Sequence, residues 1–247
     1  MYDGMMAETI RITGHGGDRI AAYFARPLGA GPYPGVLVVH HMPGWDESTK
    51  EIARRFASHG YVAILPHLHY REGPNASPDD AAAASRAKGG VPDERFLGDA
   101  RAAIEHLRAL PYCSGKIGAI GYCSGGRQVF LAACTLDLDA AVDCYGGFVA
   151  EVPPPNFPLK STPVIEHAAD LRCPLLGLFG AEDLHPSPAE TKKTEEILAK
   201  HHKTYEFHTF EGAGHGFFSP DRPMYRVEAA NQGWQQVFRW FETHLAS

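Results

Sequence analysis

Short apolar runs recur along the chain, separated by stretches in which apolar positions return every three or four residues. GVLVVHH (35–41), YVAILP (61–66), IGAIG ahead of Tyr122, AAVDCYG (140–146) and PLLGLFG (174–180) are nearly continuous in apolar residues and too short for helices. That is the pattern of strands buried on both faces. TYEFHTF (204–210) alternates instead, and residues 8–13 and 20–26 flank a glycine-rich HGGD that reads as a hairpin turn. Between these strands, 47–58 has helical spacing through Ile52, Ala53 and Phe56 and meets a stop at His59-Gly60. The segment 93–109 sets Phe96, Leu97, Ala100, Ile104 and Leu107 on one face. AAAA (81–84) and 188–201 also read as helices, and 224–245 carries an apolar face of Val227, Ala230, Trp234, Val237, Phe238 and Phe241. Strand alternating with helix predicts an α/β fold: a mainly parallel sheet flanked by helices on both faces. The chain has 247 residues, 44% of them hydrophobic, with no linker, repeat or break in composition, so one domain over 1–247 is expected.

In such sheets, ligands bind beyond the carboxyl ends of the strands. The residue types that carry chemistry gather there: His40 and His41, the segment from His67 to Arg71, Cys123, Asp183 and His215. Cys123 stands out, because KIGAIGYCSGGRQVF runs from strand to helix through a turn made tight by Gly121 and Gly125, two residues to either side. A nucleophile elbow has this design: a strained turn raises one side chain above the sheet, and larger neighbours would collide. The helix starting near Ser124 aims free N–H groups at the sulfur and favours thiolate, and the Ser124 N–H is a candidate oxyanion donor. A glycine-rich turn around a buried cysteine is the competing structural reading.

A catalytic thiol needs a base, and the base needs an orienting acid. FGAEDLHP places Asp183 in the loop after an apolar strand, with Glu182 as the alternative acid, and EGAGHGFF places His215 between glycines after the last strand. Nucleophile, acid and histidine follow in the order of an α/β-hydrolase fold. GYCSGG, GAED, GAGHGF and the SGKIG before the elbow together resemble the dienelactone hydrolase family, and the resemblance spans almost the whole chain. It implies a cysteine nucleophile at Cys123, with His215 and Asp183, that takes an acyl group from an ester or lactone as a thioester without a cofactor. It also implies a second oxyanion donor at the backbone of Met42.

Departures from the family's pattern bear on the substrate. Dienelactone specialists carry a glutamate where His41 stands here, and an arginine where this chain has Ser219. His41 is read either as a proton carrier or substrate donor, or as a histidine packed at a strand end. Arg222, Arg71, Arg86 and Arg95 are candidate carboxylate partners and equally candidates for a solvated surface. A small neutral ester or lactone is therefore the expected substrate. His41, Trp45, Tyr70, Arg71 and Tyr145 are the expected pocket walls, Tyr145 being alternatively a core residue.

A metal reading competes. His67 and His69 would point the same way on an extended segment, close to His40 and His41, but no HExxH or other recognised ligand spacing is present, and no metal is expected. Five unpaired cysteines with no C-x-x-C read as free thiols, Cys134 and Cys144 as small core residues. A net charge of −6 with both signs interspersed argues against nucleic acid. No membrane span or signal peptide is visible, so a cytoplasmic enzyme is expected. Two other activities fit the same thiol: hydrolysis of phosphotriesters, or a binding or redox-sensing role without ester turnover.

Overall fold

The alternation of apolar runs and amphipathic helices folds into an eight-stranded sheet in the order β1-β2-β4-β3-β5-β6-β7-β8. The structure, a computed structural model, describes residues 4–246, so the ends of the expected 1–247 domain lie outside the described residues. The strands are β1 (Met5–Thr13), β2 (Arg19–Pro27), β3 (Tyr33–Val39), β4 (Val62–Pro66), β5 (Cys113–Tyr122), β6 (Ala140–Cys144), β7 (Leu175–Gly180) and β8 (Tyr205–Phe210). The helices are α1 (Glu47–Ser58), α2 (Pro78–Ala87), α3 (Asp93–Arg108), α4 (Ser124–Thr135), α5 (Pro188–Lys200) and α6 (Val227–Leu245). β1 and β2 form the expected antiparallel hairpin, and β2 runs antiparallel to β4; the six remaining strands are parallel.

Each parallel strand sends alternate residues to opposite faces. Leu37 and Val39 of β3 join a core with Phe96, Ile104 and Leu107 of α3 and Val129 to Cys134 of α4. Val36 and Val38 join the other core, with Ala53 and Phe56 of α1 and Val237, Trp240 and Phe241 of α6. Both faces are thus covered, which explains why the strands read as unbroken apolar runs. Side chains also set the helix starts: Asp46, Ser77 and Ser187 accept from the N–H groups of Thr49, Asp80 and Glu190.

Several boundaries shift from expectation, and three of them have a local cause or bear on the site. β6 ends at Cys144 because Tyr145 turns left-handed (φ 45°), and β3 ends at Val39, leaving His40 and His41 in the following loop. α6 starts at Val227, which is 61% exposed and does not join the apolar face. Among the described residues, no helix is long and apolar enough to cross a membrane. The chain proceeds from β3 outward to β4 and returns to place β5 on the other side of β3. That reversal opens a crevice at the carboxyl ends of β3 and β5.

Candidate active site

Cys123 sits at that crevice, between the end of β5 and the start of α4, with φ 57° and ψ −122°. A β-carbon-bearing residue rarely takes such a conformation, and here the surroundings hold it. Its N–H donates to the Cys144 carbonyl at 3.0 Å, and its carbonyl accepts from Gly126 at 2.9 Å. The flanking glycines permit the turn: a β-carbon on Gly121 would overlap the carbonyl of Gly125, and one on Gly125 would lie 2.5 Å from the Val39 carbonyl oxygen.

The loops after β7 and β8 bring Asp183 and His215 to the same point. They are tied together by the Glu182 N–H, which donates to the Ala213 carbonyl at 2.9 Å, and by the Ala181 N–H on Phe210. His215 Nδ1 lies 2.9 Å from Asp183 Oδ2, and the other carboxylate oxygen accepts from the His185 N–H at 2.9 Å. Asp183 is buried, so the carboxylate side of this pair is shielded from solvent, while the His215 side chain is 37% exposed. The remaining ring nitrogen of His215 is left for the sulfur. Burial alone would raise the Cys123 thiol; the charge and hydrogen bond of His215, with the backbone N–H groups of Met42 and Ser124, reverse this and hold it below its ordinary value. Burial likewise opposes charge on His215, but Cys123 and Asp183 prevail and hold the imidazole well above its usual range. The two shifts describe one coupled pair, favouring thiolate beside imidazolium.

Around the sulfur lies a cavity of about 510 Å³. His41 and Tyr145 line it, as do Met42 and Ser124. His41 is buried, and its Nε2 lies 2.7 Å from Asp46 Oδ2. Tyr145 sets its ring edge-on to His215 at 5.1 Å. Ser219, Arg86 and Arg222 line the cavity too, Arg222 with Nη2 3.5 Å from Asp46.

Three expected walls lie elsewhere. Trp45 stacks on His67 at 4.7 Å and donates from its indole to the Leu65 carbonyl, turning into the core beside α1. Tyr70 packs under Arg11. Arg71 forks onto the fully buried Asp99 at 2.8 and 2.9 Å and reaches Asp18 at 2.7 Å with Nε. Arg71→Met would leave the Asp99 charge buried and unpaired, and is expected to cost about 3–5 kcal/mol in urea unfolding. Its kcat/KM on a small ester should match wild type once the protein is folded. Arg95 is paired with Glu72, away from the cavity lining.

The histidines do not assemble as a metal reading requires. Residues 68–72 form turns, with the Tyr70 N–H donating to the His67 carbonyl, so His67 and His69 do not share one extended segment. His67 is against Trp45, while His69 sets its ring on His40 at 4.7 Å. His40 accepts from the Leu68 N–H at Nε2 and so donates from Nδ1 to the His41 carbonyl. Burial pushes it down to about 4, and it is neutral. Among the described residues, no three His, Cys, Asp or Glu side chains converge as a metal site.

Other cavity residues were not foreseen: Gln128 and Arg127 on α4, Phe148, Phe157 and Leu159 from the irregular segment after β6, and Ser85 on α2. Arg127 is anchored bidentate to Asp93 at 2.7 and 2.8 Å. Arginine at the fourth position of a helix that opens on a nucleophile elbow was the available signal for it. The aromatic residues lie in a segment without periodicity and had none.

Comparison with known proteins gives the same grouping. The model of the dienelactone hydrolase family matches residues 20–245. The chain belongs to that family. Its members hydrolyse ester and lactone bonds, and this one is a dienelactone hydrolase-like hydrolase with the α/β-hydrolase fold. A Synechocystis protein named "putative carboxymethylenebutenolidase" is 32% identical over 92% of this chain and 93% of its own. A Klebsiella pneumoniae crystal structure described as a "putative dienelactone hydrolase" superposes with a TM-score of 0.84 at 31% identity, covering 97% of this chain and 99% of its own. A dienelactone hydrolase-like promiscuous phosphotriesterase from metagenomic libraries superposes with a TM-score of 0.80 at 26% identity, covering 97% and 98%.

Proposed function

We propose that the protein hydrolyses carboxylic esters or lactones through a Cys123–His215–Asp183 triad and a thioester intermediate. The observation that carries this reading is that Cys123, held at the elbow, lines one cavity with Met42, Ser124, Asp183 and His215, with His215 paired to Asp183 at 2.9 Å. The thiolate attacks the carbonyl carbon, and the carbonyl π pair moves to oxygen, where the two backbone N–H groups receive it. Collapse of the adduct breaks the bond to the alcohol or enol oxygen, which takes the proton from His215. Water then attacks the thioester while His215, oriented by Asp183, accepts its proton. The C–S bond breaks, the acid leaves, and the thiolate is restored. His41 and Tyr145 wall the reacting carbonyl.

The shifted pair makes a prediction at neutral pH. Because Cys123 is held below its ordinary value, thiolate absorbance near 240 nm should persist to lower pH than in a free cysteine. That component should be absent in Cys123→Ala and should move to higher pH in His215→Ala, where the compensating charge is gone. An intermediate mass increment equal to the acyl group, seen after rapid quenching, tests the thioester. A thiol with ordinary titration and no acyl adduct sinks the reading.

The metagenomic phosphotriesterase favours a second activity of the same site, attack of the thiolate on a phosphotriester phosphorus. Turnover of an aryl dialkyl phosphate by wild type but not Cys123→Ala tests it; its absence from both removes it.

A further inference from the structure

The cavity is far larger than the reacting atoms require, and its outlying part is specific in composition. Val91, Phe148, Phe157 and Leu159 form an apolar wall, with Leu184 and Met224 also in the lining. Phe148 and Phe157 pack edge to face at 4.6 Å, and Phe148 leans on the His185 ring at 5.0 Å. Leu184 and Met224 are 77% and 40% exposed, leaving apolar surface at the rim that none of the described residues covers.

The wall is fastened in place. The Lys160 N–H donates to the Gly89 carbonyl at 2.8 Å, and Leu159 occupies the space that a β-carbon on Gly90 would take. Arg127 donates to the Thr162 carbonyl on the same segment, while its guanidinium is satisfied by Asp93. The segment is therefore tied to the α2–α3 loop at one point and to α4 at another.

Four side-chain polar atoms of this lining have no partner among the described residues, on Ser85, His69, Ser161 and Arg222, and the first two belong to buried residues. Ser85 on α2 is fully buried, and its hydroxyl makes no hydrogen bond. His69 is 5% exposed, and its Nδ1 is likewise unpartnered. A β-carbon on Gly44 would touch both Ala82 of α2 and His69 Nδ1, so this nitrogen lies against the helix that carries Ser85. Burial holds His69 down at about 2, which makes it a neutral donor or acceptor. Leaving a buried polar atom unpaired is unfavourable, and a bound partner would relieve it. The interior cation of the wall, Arg127, is already paired, and Arg222 faces Asp46. The other cations of the lining, Arg86 and Lys160, are half-buried and exposed, so the buried unpartnered groups, Ser85 and His69, are uncharged.

Resting on the proposed ester chemistry, we infer that the substrate is a neutral ester or lactone with a ring-sized apolar arm ending in a hydroxyl or carbonyl. Val91, Phe148, Phe157 and Leu159 receive the arm, and Ser85 with His69 hydrogen-bonds its end. The arm can stand on either side of the scissile bond, so the test uses both orientations.

The measurement is kcat/KM for p-nitrophenyl acetate, 2-naphthoate, 6-hydroxy-2-naphthoate and 6-carboxy-2-naphthoate. The alcohol-side series is 2-naphthyl, 6-hydroxy-2-naphthyl and 6-carboxy-2-naphthyl acetate, set against phenyl acetate. Wild type, Ser85→Ala, Leu159→Trp and Cys123→Ala are compared. In at least one series the hydroxynaphthyl ester should be best and the carboxynaphthyl ester should fall below the plain naphthyl one. Ser85→Ala should reduce the hydroxy-to-plain ratio about five- to tenfold, the worth of one neutral hydrogen bond. Leu159→Trp should erase the advantage of naphthyl over the small ester. A small ester that equals or beats naphthyl in both series overturns the inference, and so does a preference for the carboxylated arm or an unchanged ratio in Ser85→Ala. Those failures leave the thiol reading standing so long as Cys123→Ala remains inactive. Equal rates in wild type and Cys123→Ala on p-nitrophenyl acetate would instead remove the thiol reading.

Discussion

Cys123→Ala is expected to lower hydrolysis of p-nitrophenyl acetate by at least about 10³-fold, measured after metal chelation, with no comparable loss of stability. The scale is that of removing one member of a nucleophile, base and acid that act as a unit. What survives is binding and the two backbone donors at Met42 and Ser124, neither of which supplies a nucleophile. The fold has little reason to respond. The elbow is held by main-chain bonds, from Cys123 to Cys144 and from Gly126 to Cys123, and alanine retains both. Cys123→Ser sharpens the reading. A serine hydroxyl does not ionise beside His215 as a thiol does, so the pair would lose its charge-separated state and the rate should fall with the geometry intact. Comparable turnover in wild type and Cys123→Ala would remove the thiol from the chemistry. Loss of both on chelation would point instead to metal-dependent hydrolysis, against the dispersed arrangement of His40, His41, His67 and His69.

The parts of this site that could be read in the sequence are those fixed by backbone requirements. Gly121 and Gly125 announce a turn because only a missing β-carbon permits the approach of strand and helix. The apolar runs announce strands because both faces of the sheet are covered. Cys123, Asp183 and His215 each follow such a run, and the structure brings all three to one point. What could not be read is where a side chain points once the chain leaves the strand. Trp45, Tyr70 and Arg71 follow β3 and β4 within six residues, as His41 follows β3 within two, yet the turn at 68–72 and the buried carboxylate of Asp99 direct them into structural contacts. Asp99 sits on the buried face of α3, and nothing in its local sequence tells a buried acid from a solvated one. The aromatic wall was hidden for a different reason. Its residues lie in an irregular proline-rich segment whose path is set by distant anchors at Gly89 and Arg127.

Gly125→Ala should damage stability and chemistry together, because the β-carbon would meet two backbone carbonyls, 2.5 Å from Val39 and 2.7 Å from His40. Neither is the mobile tip of a side chain. Relief requires the end of β3 to move away from α4, and that segment leads directly to the Met42 N–H at the sulfur. Gly121→Ala presses on the Gly125 carbonyl from the opposite side. Each substitution is expected to cost about 3 kcal/mol or more in urea unfolding, at the upper end of overpacking effects. The double variant should cost less than the sum, since one displacement of the Gly125 peptide relieves part of both clashes. Gly212→Ala is the control: it has φ +70° but nothing within 4 Å of its β-carbon, so it carries backbone strain alone. That strain is worth about 1–2 kcal/mol for a left-handed residue. If steric closure is what makes the elbow, the elbow variants fall well beyond Gly212→Ala and lose turnover in proportion to the Met42 displacement. If all three unfold at one urea concentration, the glycines matter only through conformational freedom, and the close approach of β5, α4 and β3 is not what holds Cys123 in its strained position.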